Sequence, residues 1–315
     1  MSPVHVSSAM YLKLVCLKSG KEELEIMPHP VNGIDHVFIL ANDLEKSADR
    51  FCNFGFTLSP RGLHSKEQGT ANYTIMFGHD YVELLGIVEE TPANREKKHD
   101  LKHFGEGLYA IAGRIDHAAD ARNNLRELGF EVGDIQKFSR TLELSDGSKA
   151  IAAFETIAFN RRHVPKGLLF MCQHKTRNLV WQPQLLAHEN GATGLSSITV
   201  LSATPEQTAK QYARLFKDGA TEDKSDHVKV ITGRDSAFIL VMTADNFAKR
   251  FDKFDVSKTP RNAYAALAIY VDNINTTRAV LTKNNIAHSQ MSQYHIALAP
   301  EIASGTVLEF VELDK

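Results

Sequence analysis

GIDHVFILANDLEKSADRFCNFGF, residues 33–56, changes period part-way along. IDHVFIL mixes alternation with β-branched residues, as a largely buried strand does. From Leu44 the spacing turns helical, with Leu44, Ala48, Phe51 and Phe54 on one face. Gly55 then supplies a turn. The same order recurs three times, in GLYAIAGRIDHAADARNNLRELGF (107–130), GLSSITVLSATPEQTAKQYARLF (194–216) and YAALAIYVDNINTTRAVLTKNNI (264–286). Ala118, Leu125 and Leu128 form the apolar face of the second helix. Ile274, Val280 and Leu281 form that of the fourth.

Shorter strand candidates follow each helix. They are ANYTIMFG and YVELLGI, then KAIAAFETIAF and GLLFMCQ, then HVKVITG and SAFILVM, then HIALAP and TVLEFVEL. The repeat therefore predicts four copies of a β-α-β-β-β unit. One unit alone leaves an apolar sheet face uncovered, so two copies should pair within each half. A longer polar stretch, HKTRNLVWQPQLLAHENGAT, separates the second copy from the third. The expected organisation is an extension over 1–30, one domain over 31–175, a linker over 176–192 and a second domain over 193–315. Residues 9–17, AMYLKLVCL, form a short apolar run, but the following SGKEELE lacks a small-residue cleavage site.

The bulk properties are those of a globular chain, with 43% hydrophobic and 23% charged residues and a net charge of −2. They offer no basic patch for nucleic acid or an anionic membrane. No apolar run reaches membrane-spanning length. Cys16, Cys52 and Cys172 are widely spaced with no C-x-x-C, which argues against a disulfide framework and suits a reducing cytoplasm. P-loop, G-x-G-x-x-G, H-E-x-x-H and G-x-S-x-G motifs do not occur.

Several motifs give the repeat a family likeness. They are the Asp35-His36 pair on the first strand, His64 followed by Gly69-Thr70-Ala71-Asn72, and Tyr81-Val82-Glu83-Leu84. The linker FMCQHKTRNLVWQP…HENGATGL and the ending GTVLEFVEL belong with them. Over about residues 31 to 313 the chain resembles the glyoxalase-like branch of the vicinal oxygen chelate (VOC) superfamily. The resemblance implies an α+β fold of four βαβββ modules, paired into two glyoxalase/bleomycin-resistance/extradiol-dioxygenase-like half-barrel domains.

It also implies two ligand positions per module, one on the first strand and one on the last. Copy one offers His36 and Glu83 there. Copy two offers Ala110 and Leu169 or Phe170, copy three Ser197 and Ile239 or a neighbour, and copy four Ala266 and Glu309. Only copy one carries both, so the N-terminal half is the expected site. If Phe170 faces inward, residues 172 and 174 do too, by the two-residue period of a strand. His174 thus becomes a third metal ligand or a substrate-binding group at the rim. Imidazole and carboxylate suit Fe, Mn, Zn or Ni.

The expected metal ligands are His36, Glu83 and His174, with Glu83 also catalytic. His64, Asn72 and His174 are the expected substrate contacts. A lone His in an apolar strand is often only a hydrogen-bonded core residue. A carboxylate within YVELLGI is the stronger signal, because buried carboxylates are rare unless paired or ligating. The function implied is a metal-dependent lyase, isomerase or ring-cleaving dioxygenase acting on a small oxygenated organic molecule. The alternative is a metal-free protein that binds a small molecule or antibiotic. The copies can pair within one chain or swap between the chains of a homodimer. NREKKHDLKH, residues 94–103, reads as a solvated helix face or loop. Trp181 reads as a plug between the halves, and Glu309 as a remnant bonded within its own sheet.

Overall fold

The computed structural model describes residues 12–16, 22–26, 28–143 and 147–313. β1 (Leu12–Cys16) and β2 (Glu22–Ile26) pair as a small sheet of their own. Copy one supplies β3 (Ile34–Ala41), α1 (Leu44–Asn53), β4 (Gly62–Leu63), β5 (Thr70–Met76) and β6 (Tyr81–Ile87). After α2 (Arg95–Phe104), copy two supplies β7 (Gly107–Arg114), α3 (Ala118–Glu127), β8 (Gln136–Glu143), β9 (Lys149–Ala158) and β10 (Leu168–His174). The linker contains α4 (Arg177–Val180). Copy three supplies β11 (Ala192–Leu201), α5 (Pro205–Ala213), β12 (Ala220–Asp223), β13 (Val228–Ile231) and β14 (Phe238–Met242). Then come α6 (Ala244–Arg250) and copy four: β15 (Ala266–Val271), α7 (Ile274–Lys283), β16 (Ser289–Ser292), β17 (His295–Leu298) and β18 (Val307–Glu312).

The helix boundaries follow local chemistry. Asp43 caps α1 by accepting from the Lys46 amide, and Asn273 caps α7 by accepting from that of Asn275. The turn after the helix needs a left-handed residue in three copies, filled by Gly55 (φ +89°), Gly129 (φ +84°) and Asn285 (φ +55°).

Two eight-stranded sheets result, ordered β4-β5-β6-β3-β7-β10-β9-β8 and β12-β13-β14-β11-β15-β18-β17-β16. In each module the first strand runs parallel to the last, an arrangement that needs the helix as a crossover. First strands of paired modules meet antiparallel, β3 with β7 and β11 with β15. The copies therefore pair within one chain. Edge strands β4 and β8 of the first sheet approach closely, since a Cβ added at Gly62 would collide with Arg140 Nη1. That sheet is nearly a closed barrel.

Alternate residues of each strand serve different layers. Val37, Ile39, Val82 and Leu84 join a core that also holds Ile239, Val241, Leu308 and Phe310, so one apolar core runs through both domains. Across it Phe56 and Phe310 stack with centroids 5.7 Å apart. The opposite faces diverge. In the second domain Leu240, Met242, Ala266 and Val307 pack against Phe247 of α6 and the following Phe251, both buried. The concavity is plugged. In the first domain α2 holds the matching place in the chain but packs only its partly buried Leu101 near Phe38, Leu85 and Phe170. An open concavity remains there.

Candidate metal centre and ligand cavity

The first domain encloses a cavity of about 440 Å³. His36, Glu83 and Cys172 face it, with Phe38, Phe154 and Phe170 among its apolar walls. Two groups of polar side chains meet it.

The first group centres on Asp35. The pairing of β3 with β7 slips between Ile34 and His36, so Asp35 is an extra residue in the strand. Such a bulge re-aims a side chain. Here Asp35 Oδ2 lies 2.8 Å from its neighbour's Nδ1 on His36 and 2.8 Å from Nε2 of His174. Arg114 Nε and Arg177 Nη1 lie 3.8 and 3.7 Å from Oδ1. Burial would raise the Asp35 carboxyl, but the paired His174 and His36 outweigh it and hold the group well below the usual carboxylate range. Cys172 is two residues before His174 on the same face of β10. Its thiol is pushed well above its ordinary value by burial, and further by the charges of Asp35 and Glu83. Tyr81 stacks on His36 at 4.3 Å between centroids.

The second group lines the wall formed by β4, β5, β6 and β8. Asn72 Nδ2 donates to Glu83 Oε1 at 2.6 Å, and Arg140 Nη1 donates to Asn72 Oδ1 at 3.2 Å. His64 Nε2 stands 3.9 Å from Glu83 Oε1, while its Nδ1 meets Thr70 Oγ1 at 2.7 Å. Burial lowers the His64 pKa, and the charge of Glu83 only partly offsets this.

The ligand atoms of Asp35, His36, Cys172 and His174 all lie within 4.8 Å of one another, forming a group able to hold a metal ion. The donor types fit a divalent ion: two imidazoles, a carboxylate and a thiol. Asp35 Oδ1 is buried without a hydrogen-bond partner, which leaves a carboxylate oxygen able to ligate. Loading requires a small rearrangement. Two donors about 2.1 Å from one tetrahedral ion sit roughly 3.4 Å apart, whereas each imidazole is now at hydrogen-bond distance from Oδ2.

The structure thus brings His36 and His174 together, joined by Asp35 and Cys172. It sets Glu83 outside that group, on the wall with Asn72 and His64. Asp35 was legible only as half of the Asp35-His36 pair, and Cys172 from the two-residue period between Phe170 and His174. Arg114, Arg140 and Arg177 carried no local signal. Residues 95–104 do form a helix with His99 and His103 exposed, but Lys97 turns into the cavity instead of solvent. Trp181 corrects its reading as a plug between the halves. Its Nε1 donates to Phe77 O at 2.8 Å and its ring meets His174 at 5.0 Å, both within the first domain. Arg177 lies 3.4 Å above that ring. Glu309 pairs with His295 of its own sheet at 2.8 Å, and also with Arg250 of α6 at 2.9 Å.

Paired βαβββ modules with an open, metal-competent concavity define the VOC class. More closely, the family model for the glyoxalase-like domain matches residues 34–216, and the chain belongs to that family. No curated protein is similar enough in sequence to count as a relative. Among solved structures, a hypothetical protein from Staphylococcus aureus superposes with a TM-score of 0.63 at 13% identity, over 89% of this chain and 99% of its own. A xylose isomerase-like TIM barrel/4-hydroxyphenylpyruvate dioxygenase fusion protein gives 0.56 at 14% identity, over 91% of this chain and 50% of its own. A single-residue variant of homoprotocatechuate 2,3-dioxygenase from B. fuscum gives 0.55 at 11% identity, over 92% of this chain and 74% of its own. At such identities the likeness is one of fold. Among the described residues no helix is long and apolar enough to cross a membrane.

Proposed function

We propose that the first domain is a metal-dependent enzyme acting on a small oxygenated organic molecule. The reading rests on the convergence of Asp35, His36, His174 and Cys172 on one side of the cavity that Glu83 faces. His36 and His174 would be ligands, completed by Asp35 and Cys172. His36, His174 and Asp35 match the two-histidine, one-carboxylate donors of non-haem Fe(II) oxygenases, with the Cys172 thiol beside them, which favours dioxygenase chemistry over lyase or isomerase chemistry. When bound, the ion would supply Lewis acidity toward the oxygens of the substrate. Glu83, oriented by Asn72, would take up or return a substrate proton. His64, kept largely neutral by burial, would offer a hydrogen bond at the rim.

Metal analysis of the purified chain, followed by titration with Fe(II), Mn(II), Zn(II) and Ni(II), tests this. About one ion per chain should bind, and His36→Ala or His174→Ala should abolish uptake. A chain that takes up none of the four metals sinks the proposal.

A second reading has one observation in its favour. Arg114 and Arg177 already face Asp35, so its charge is balanced without a cation. The cavity would then be a metal-free cup for a small molecule or antibiotic. In that case Glu83→Ala should leave ligand affinity nearly unchanged.

A further inference from the structure

We infer that the molecule bound in this cavity is a small aromatic or apolar carboxylate, whose anionic group Arg140 and Lys97 receive while the phenylalanine walls take its body. The inference deepens the reading above and rests on that cavity being the substrate site.

Arg140 carries the argument. It lies on β8, is only 6% exposed, and lines the cavity. A guanidinium has five N–H donors arranged to match a carboxylate. The bond from Nη1 to Asn72 Oδ1 uses one of them. Among the described residues no carboxylate lies within 4.0 Å of Arg140 or of Lys97. Buried charges are costly unless paired, so an unpaired guanidinium facing a cavity calls for an anion from outside the chain.

Lys97 of α2 is half-buried and faces the same space. Burial pulls its pKa down, with Glu83 pulling the other way. Of the cavity's charged residues, Glu67 is exposed at the rim and Lys137 has an 81% exposed side chain. The enclosed part thus holds two cations against the single carboxylate of Glu83, which already accepts from Asn72. Gly62 adds a second geometric sign. A Cβ there would collide with both Asn72 Oδ1 and Arg140 Nη1, so bare backbone in β4 makes room for the pair. Phe38, Phe138, Phe154 and Phe170 supply the apolar remainder of the lining.

The test titrates the purified full chain, with EDTA present, with benzoate, phenylacetate and hexanoate and with their three amides, by calorimetry. At least one carboxylate should bind about tenfold or more tightly than its amide, a charge-assisted bond being worth that much. Arg140→Gln and Lys97→Met should each remove most of the preference of that carboxylate over its amide. Lys97→Met lies on a largely exposed helix, so it decides the matter if Arg140→Gln fails to fold. Equal binding of acids and amides, including no binding of either, overturns the inference, as does a preference that survives Lys97→Met. Because the metal is removed, failure of the metal reading leaves a carboxylate preference standing. Metal uptake without that preference sinks this inference alone.

Discussion

Asp35 ties together groups that are far apart in sequence. Its side chain is fully buried, and one oxygen serves His36 and His174 while the other faces Arg114 and Arg177. Removing one partner from a buried charge network leaves the others uncompensated. Asp35→Asn keeps the shape but removes the charge. It should cost on the order of 3 kcal/mol of stability, read as a lower urea midpoint with an unchanged slope. A loss below about 1 kcal/mol would mean that solvent already screens the two arginines. The same substitution should weaken metal uptake, measured by the same titration.

At the scale of elements, α2 and α6 occupy equivalent places between paired modules and do opposite things. α6 drives Phe247 into the concave face of the second sheet, and its Arg250 neutralises Glu309 there. α2 stands further out and leaves Glu83 facing open space. The concave face of the second sheet is thus filled by a helix, and that half also lacks histidine at its first-strand positions. Phe247→Ala should cost about 3–5 kcal/mol, the range for a large aromatic deleted from a core. Thermal unfolding checks it, and a cost under about 1.5 kcal/mol would show that the plug packs loosely.

The two domains share one core and also one buried titratable contact. Asp80 Oδ1, in the first domain, accepts from the Leu195 amide in the second at 3.1 Å. Burial raises the Asp80 pKa from 3.8 to about 7, with the Leu195 bond opposing. The folded chain therefore holds this proton between about pH 4 and pH 7, where the unfolded chain has released it. With more protons bound to the folded state, stability falls as pH rises through that window and levels off above it. Asp80→Asn keeps an acceptor for Leu195 without the charge. It should be more stable than the parent at about pH 8, by at most about 4 kcal/mol, and equal to it near about pH 3.5. Chemical denaturation at the two pH values measures the difference, and an equal effect at both would rule out titration as the cause.

The period switch in residues 33–56 and its three echoes were enough to determine the four modules. The reason is physical: strand and helix periods and a left-handed turn at Gly55, Gly129 and Asn285 are local properties of the chain. Glu83 stood out for the same kind of reason, as a carboxylate in an apolar strand. The make-up of the site was not local. A bulge turns Asp35 toward His174, 139 residues away in sequence. Near-closure of the first sheet brings Arg140 of β8 beside Asn72 of β5. The linker folds back so that Trp181 braces His174. Whether a concavity stays open depends on how deeply one helix packs, which α2 and α6 decide differently. Only the tertiary structure fixes such contacts, because they join residues whose neighbours in sequence carry no trace of one another.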